Sequence, residues 1–402
     1  MQRFLSIILI MCILSGGMFC KAETRIASEC DIGDIDIPLS DVVETAVIGT
    51  VLEINAKSAV LLEPYTGKVL YEQNGDEKLP PASITKVMSL LLVMEALDRK
   101  EFGLDTVVTA SEHACSMGGS QIWLEPGEAM TVDDLLKATV IASANDACVA
   151  LGELVAGSEE GFVALMNQRA SELGMNSTTF KNCTGLDADG HLTTANDVAI
   201  MSGELIKHEL IKDYSTVWMD SLRNGESELV NTNKLVRFYE GTTGLKTGTT
   251  SIAKYCLSAT AQREGLSLVA VVLAGQTSQD RFEGAKKLLN YGFSNYSFEK
   301  IKADLKKKTV PVLKGETDSV GIEAKGSVSF LCEKAKKGDI KQTVNFEKEI
   351  KAPIKKGQVV GYIDIYSGEE NIGQIPITAT DNLKKRNFSL SFKYILNGLF
   401  KI

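Results

Sequence analysis

The feature that most constrains the fold is an apolar helix introduced by two prolines. Pro80 and Pro81 favour an extended approach and disfavour a helix before them. Between Val87 and Ala96 only two side chains are polar, so most faces of the predicted helix must be covered by other parts of the chain. The sequence therefore predicts a helix inside a packed domain.

Two polar residues stand at the start of this helix. Ser83 and Lys86 are three residues apart, which places both side chains on one helical face. A hydroxyl becomes a useful nucleophile when a neighbouring base takes its proton. Lysine can be that base if low dielectric or another cation lowers its pKa. Ser83 and Lys86 are thus a candidate nucleophile and base, and a capping serine beside a solvated lysine is the alternative.

A second candidate site is Ser143-Ala144-Asn145, between two predicted apolar helices. In a tight connection the hydroxyl and the carboxamide can face one cavity. Ser143 could then relay a proton, while Asn145 could hold the lysine and a substrate amide. The alternative is that both residues cap the second helix.

The third candidate is Lys246-Thr247-Gly248, on or beside a predicted strand. Gly248 has no Cβ, so a ligand can approach the backbone closely. An edge strand can pair with a substrate peptide, and Lys246 and Thr247 can bind a terminal carboxylate. The glycine spacing of a phosphate-binding loop is absent before Lys246. A surface lysine is the remaining alternative.

The order of the three motifs resembles that of the low-molecular-weight penicillin-binding proteins, the serine-type D-alanyl-D-alanine carboxypeptidases. The resemblance is close over about 46–293 and looser afterwards. It implies an α+β fold of the serine β-lactamase and D,D-peptidase type. In this fold an antiparallel sheet is flanked by helices, a helical subdomain is inserted, and a small all-β domain follows.

The resemblance also implies a reaction, with three catalytic residues. Ser83 would attack the penultimate D-alanine carbonyl of a peptidoglycan stem peptide ending in D-Ala-D-Ala. Lys86 would be the general base, and Ser143 would pass the proton to the leaving D-alanine. Water would then release the shortened peptide. Penicillin and other β-lactams would acylate the same serine, and no metal or organic cofactor would be needed.

Five residues would bind the substrate according to this resemblance. Asn145 would orient Lys86 and the substrate amide, and Lys246 and Thr247 would hold the terminal carboxylate. Gly248 would let the peptide approach, and the backbone N–H of Thr249 would form an oxyanion hole with that of Ser83. Many relatives carry histidine at the position of Thr249, which leaves the deacylation rate open.

Two other functions fit the same motifs. A β-lactamase of this fold would need a carboxylate that activates the deacylating water, and the chain contains no Glu-x-x-Leu-Asn. A catalytically weak wall-binding protein would not need the polar motif side chains, which are all present. The formal net charge of −9 argues against general nucleic-acid binding. None of the eight cysteines forms Cys-x-x-Cys, which argues against a zinc site.

The two ends of the chain suggest export and membrane attachment. Met1–Ala22 has the positive start, the apolar run and the small residue of a cleavable signal peptide, with an uncleaved anchor or a lipoprotein at Cys20 as alternatives. The last 21 residues contain five basic residues and no acidic one, around apolar residues on one helical face. That pattern is typical of a helix lying in a membrane surface. We expect the outer face of a bacterial cytoplasmic membrane as the location.

These observations divide the chain into five parts. They are a signal peptide (1–22), a linker (23–45), a D,D-peptidase catalytic domain (46–293), a C-terminal β domain (294–380) and an amphipathic membrane anchor (381–402).

Overall fold

The computed structural model describes residues 25–26 and 52–392. The predicted signal peptide lies outside the described residues, as do nearly all of the predicted linker and the last ten residues of the predicted anchor. Within the described part, no helix combines the length and the apolar character that crossing a bilayer requires.

The described residues before 296 form ten strands and nine α-helices. The strands are β1 (Arg25–Ile26), β2 (Ser58–Glu63), β3 (Lys68–Gln73), β4 (Val107–Thr109), β5 (Ala129–Thr131), β6 (Met219–Leu222), β7 (Ser227–Val230), β8 (Thr242–Thr250), β9 (Lys254–Arg263) and β10 (Leu266–Gly275). The helices are α1 (Lys86–Asp98), α2 (Glu112–Cys115), α3 (Val132–Ile141), α4 (Asn145–Ala156), α5 (Glu159–Glu172), α6 (Ala195–Leu205), α7 (Lys212–Ser215), α8 (Leu235–Phe238) and α9 (Ser278–Asn295).

The central sheet is antiparallel and has the strand order β3-β2-β10-β9-β8. Its two faces follow from the alternation of side chains along β10. Val269, Val271 and Leu273 pack into the core that contains α1 and α6. Leu268 and Val272 pack with α9 on the other face. The predicted antiparallel sheet flanked by helices is therefore confirmed, and β8 lies at its edge.

Helix α1 is buried almost all round, as its apolar sequence predicts. Every residue from Val87 to Met94 is buried. Its start differs from the simplest expectation. The α-helix begins only at Lys86, and Ser83 lies in a preceding 3₁₀ turn, Ala82–Thr85. The tighter turn fixes Ser83 by backbone geometry, and no side chain caps either helical segment.

The C-terminal region is all-β, as expected. Its strands are β11 (Tyr296–Lys302), β12 (Thr309–Pro311), β13 (Ser319–Ala324), β14 (Ser327–Glu333), β15 (Ile340–Phe346), β16 (Val359–Ser367) and β17 (Glu370–Ala379). Five of them form a sheet in the order β12-β13-β17-β16-β15, and β11 pairs with β14. Ile363 and Ile377 lie in its core together with Leu383. Leu383 also bridges to Ile354, so the contacts of this region extend past residue 380.

Candidate active site

Lys86 lies at the centre of the candidate site and is fully buried. Its Nζ donates to Ser83 Oγ at 3.1 Å, to Asn145 Oδ1 at 2.5 Å and to the Thr184 carbonyl at 2.8 Å. Ser83 itself is half-buried, so the hydroxyl can be reached while the amine cannot. The predicted pairing of Ser83 with Lys86 is therefore present in the folded chain.

Burial changes the acidity of this lysine. Loss of hydration lowers the pKa of Lys86 to about 8, and the nearby Cys148, Cys183 and Asp146 side chains offset only part of that effect. A lysine with such a pKa is neutral in a minor fraction of molecules at pH 7 and in about half of them near pH 8. The lowered pKa is caused by the low-dielectric environment that the apolar sequence around Lys86 predicts.

The Ser143–Asn145 segment connects α3 to α4, and its Asn145 side chain contacts Lys86. Ser143 is buried and has a φ of +65°, in the left-handed region that few residues other than glycine adopt. The first residue of α4, Asn145, uses its carbonyl oxygen on Lys86 and donates its amide N–H to the Gly118 carbonyl at 2.6 Å. The N-cap of α4 is Ala144, which has no side-chain cap. Helix capping therefore does not explain this motif.

The Lys246–Gly248 motif lies on the edge strand β8, beside the turn that holds Ser83. A Cβ placed on Gly248 would lie 2.9 Å from the Pro81 carbonyl oxygen and 3.0 Å from Ser83 N. The motif predicts that Gly248 leaves space for a ligand beside the strand. In the structure the Ser83 turn packs against the same residue, so packing also requires a glycine at this position.

The other side chains of the motif are held by specific partners. Lys246 and Thr247 are buried, and Thr247 Oγ1 donates to Thr232 Oγ1 at 2.7 Å. Lys246 Nζ donates to the Thr247 carbonyl at 3.3 Å. Thr249 is exposed, and its Oγ1 accepts from Arg281 at 2.9 Å. Arg281 also donates to the Gly248 carbonyl and so stabilises the end of the strand.

A loop between β4 and β5 forms another wall of the site. Gly118 accepts from Asn145, and Ser120 accepts from the Asn145 backbone N–H at 2.7 Å. The buried carboxylate of Asp146 accepts from the backbone N–H groups of Ile122 and Leu124. The loop is thus fixed by two consecutive residues of α4, one of which also holds the lysine.

Sequence reasoning missed three contributions to the site. The Thr184 carbonyl holds Lys86, and a backbone group has no sequence signature of its own. Thr232 lies before α8, far from any motif. His191 contacts Thr85 Oγ1 through Nε2 at 2.9 Å, and burial lowers the pKa of this histidine to about 4. The neutral ring ties the 181–191 loop to the Ser83 turn.

Taken together, the fold and the site define a serine hydrolase of the penicillin-binding type, with a buried lysine beside the candidate nucleophile Ser83. Comparison with known proteins specifies the family. Residues 44–277 match the peptidase S11 family, described as D-alanyl-D-alanine carboxypeptidase, and residues 297–385 match the C-terminal domain of penicillin-binding protein 5. The chain belongs to the D-alanyl-D-alanine carboxypeptidase family, as its motifs predicted.

Individual relatives agree with this assignment. The chain is 44% identical over 338 residues to the D-alanyl-D-alanine carboxypeptidase DacF of Bacillus subtilis, covering 83% of this chain and 87% of that protein. Penicillin-binding protein 5 from Haemophilus influenzae superposes with a TM-score of 0.69 at 28% identity, over 84% of this chain and 99% of that one. Penicillin-binding protein D2 from Listeria monocytogenes, solved in an ampicillin-bound form, gives a TM-score of 0.56 at 33% identity, over 61% and 100%.

Proposed function

We propose that this protein removes the terminal D-alanine from peptidoglycan stem peptides through an acyl-enzyme on Ser83. One observation carries the proposal. The Nζ of Lys86 is held by two carbonyl oxygens, from Asn145 and Thr184, and its third contact is Ser83 Oγ. As an ammonium group Lys86 donates to all three oxygens. When it loses a proton, the neutral amine keeps two N–H donors and gains a lone pair, and its hydrogen bond with Ser83 Oγ reverses. The two carbonyls satisfy the donors, which leaves the lone pair for the serine proton.

The proton of Ser83 must then reach the leaving group. Lys86 takes it as Ser83 Oγ bonds to the penultimate D-alanine carbonyl, and the C–N bond to the last D-alanine must break with protonation of the leaving amine. Ser143 is the residue for that transfer. It is buried next to Asn145, which contacts Lys86, and its φ of +65° fixes the direction in which its side chain leaves the backbone.

The negative charge of the transition state needs donors, and backbone groups supply them. Ser83 N lies 3.0 Å from the Cβ position of Gly248, so the turn and the edge strand that carry the Ser83 and Thr249 N–H groups are adjacent. An oxyanion held by two such donors is stabilised by several kcal/mol, on the order of 3 per donor. Lys246 and Thr247, further along the strand, hold the terminal carboxylate, and penicillin uses the same groups.

Release of free D-alanine tests this function directly. Purified protein is incubated with a peptide ending in D-Ala-D-Ala, and Ser83→Ala is compared with Ser171→Ala, an exposed serine on α5. We expect D-alanine release and covalent penicillin labelling from the wild type and from Ser171→Ala, and neither from Ser83→Ala. D-alanine release by Ser83→Ala would remove Ser83 from the mechanism. Rapid penicillin turnover by the wild type would instead indicate a β-lactamase.

We further propose that the protein is exported and attaches to the outer face of the cytoplasmic membrane through its C-terminal helix. The signal-like Met1–Ala22 supports export. The described start of the helix supports attachment, because Asn387 Oδ1 caps it by accepting from Leu390 N. The stacked rings of Phe388 and Phe392 are 86% and 56% exposed. Two exposed aromatic rings on one helical face suit the membrane interface.

A C-terminal truncation tests the attachment, and its end point is chosen so that the contacts of the β domain stay intact. Arg386 pairs with Asp318 and donates to the Gly315 carbonyl, so the β domain needs it. The chain should therefore end after Arg386. We expect this truncation to move the protein from the membrane fraction to the soluble fraction with unchanged carboxypeptidase activity, and Phe388→Ser with Phe392→Ser to weaken attachment. Membrane retention of the truncated chain would refute the anchor.

A further inference from the structure

The terminal carboxylate of the substrate needs donors, and one of its proposed partners is already engaged. Thr247 has a single hydroxyl proton, which in this structure it donates to Thr232 Oγ1 at 2.7 Å. When a carboxylate binds, the Thr247 proton must turn toward it. The Thr247 oxygen then becomes an acceptor, and the Thr232 hydroxyl is the group in place to donate to it.

The position of Thr232 suits this exchange. Its backbone N–H donates to the carbonyl of Ile141 at 3.1 Å, at the end of α3 and two residues before Ser143. Its side chain reaches the edge strand β8 through Thr247. Thr232 therefore connects the two walls of the cleft, the helical one that carries Ser143 and the strand that carries Lys246.

The neighbours of Thr232 hold it firmly in place. Asn231 is buried, donates to the Val217 carbonyl at 2.7 Å and accepts from Asn233 N at 2.9 Å. Asn233 is buried too and accepts from Leu235 N at 3.1 Å. A hydroxyl between two such anchored residues has a fixed position but keeps a rotatable proton. It can accept in the free enzyme and donate in the complex without movement of the backbone.

We propose that Thr232 is a positioning residue for recognition of the substrate carboxylate, acting through the Thr247 hydroxyl by reversing the direction of their shared hydrogen bond. This inference rests on the proposed carboxypeptidase function. Thr232 should therefore act selectively, because it contributes to the binding only of ligands that place a carboxylate beside Thr247. When the substrate has no carboxylate, the Thr247 hydroxyl keeps donating to Thr232, and Thr232 contributes nothing to substrate binding.

The test compares two substitutions on two substrates. Thr232→Val keeps the shape and removes the hydroxyl, whereas Thr232→Ser keeps the hydroxyl. The substrates are a peptide ending in D-Ala-D-Ala and an N-acyl-D-alanyl phenyl ester, which has no carboxylate. For Thr232→Val we expect kcat/KM on the peptide to fall roughly three- to tenfold, mainly through KM, since one net hydrogen bond is lost. The ester rate should stay within about twofold, and Thr232→Ser should restore the peptide rate.

The outcomes separate this inference from the function on which it rests. A wild-type enzyme that cleaves the ester but releases no D-alanine from the peptide would overturn the proposed function. A wild-type enzyme active on both, with Thr232→Val reducing both rates equally, would overturn the role of Thr232, because a structural defect is not selective. An unchanged peptide rate in Thr232→Val would overturn it as well. Thermal unfolding of both variants shows whether they fold like the wild type.

Discussion

The buried position of Lys86 predicts a pH dependence that can be measured. With a pKa of about 8, the lysine acts as a base only in its neutral form, whose fraction rises with pH. About 1% of the lysine is neutral at pH 6 and about 9% at pH 7, and the fraction reaches half near pH 8. Acylation of Ser83 by a β-lactam should follow the same curve, rising roughly tenfold between pH 6 and pH 7 and levelling above pH 9.

One substitution should move this curve in a known direction. Asn145 Oδ1 lies 2.5 Å from Lys86 Nζ, so Asn145→Asp places a negative charge against the amine with almost no change of shape. An opposite charge at that distance raises a pKa by about 1–3 units. The midpoint should therefore move from near pH 8 to between roughly 9 and 11, and the acylation rate at pH 7 should fall roughly 10- to 1,000-fold.

The assay is the second-order rate of labelling by a fluorescent penicillin, followed from pH 6 to pH 11. Asn224→Asp is the matched control, because it makes the same charge change in an exposed turn between β6 and β7. This control should keep the wild-type midpoint. A midpoint for Asn145→Asp at or below the wild-type value would show that Lys86 is not the group whose titration limits acylation.

Two further substitutions test how the site is held together. Gly248→Ala should slow penicillin labelling at least about tenfold and cost about 1–3 kcal/mol of unfolding free energy, because its Cβ would lie 2.9 Å from a backbone oxygen. Gly118→Ala, whose Cβ meets nothing within 4 Å, is the control in urea unfolding, and equal behaviour of the two would contradict the packing argument. Asp146→Asn should lower the unfolding free energy by about 2 kcal/mol, since buried N–H groups of Ile122 and Leu124 lose part of a charged acceptor. Wild-type stability of Asp146→Asn in the same measurement would show that the loop does not depend on the carboxylate.

Much of the fold follows from local patterns. The turn at Pro64–Gly67 between two short strand-like runs predicts the β2–β3 hairpin, and the two strands pair antiparallel. Thr131 caps α3 by accepting from Asp134 N, as its spacing predicts. The apolar sequence of α1 predicts its burial. In each case the signal lies in one short stretch of sequence: a turn between two strands, a capping residue, or an apolar run whose faces must all be covered.

The site could be predicted only as far as its motifs extend. Ser83, Lys86 and Asn145 were named from their residue types and meet in space. The Thr184 carbonyl and Thr232 could not be predicted, since one acts through its backbone and the other depends on a contact between distant segments. Such contributions are set by tertiary packing, which neither periodicity nor spacing reports.

The missing methyl group at Gly248 has a mechanical consequence. At Gly248 the strand β8 and the turn that carries Ser83 approach so closely that no side chain fits between them, so a displacement of one must displace the other. The 117–128 loop on the other side of the site is held by hydrogen bonds to Asn145 and Asp146 rather than by sheet pairing, so we expect it to adjust more than β8 when a bulky inhibitor binds. On binding of a bulky β-lactam, the amide hydrogen-exchange rates should therefore change in that loop and remain unchanged in β8.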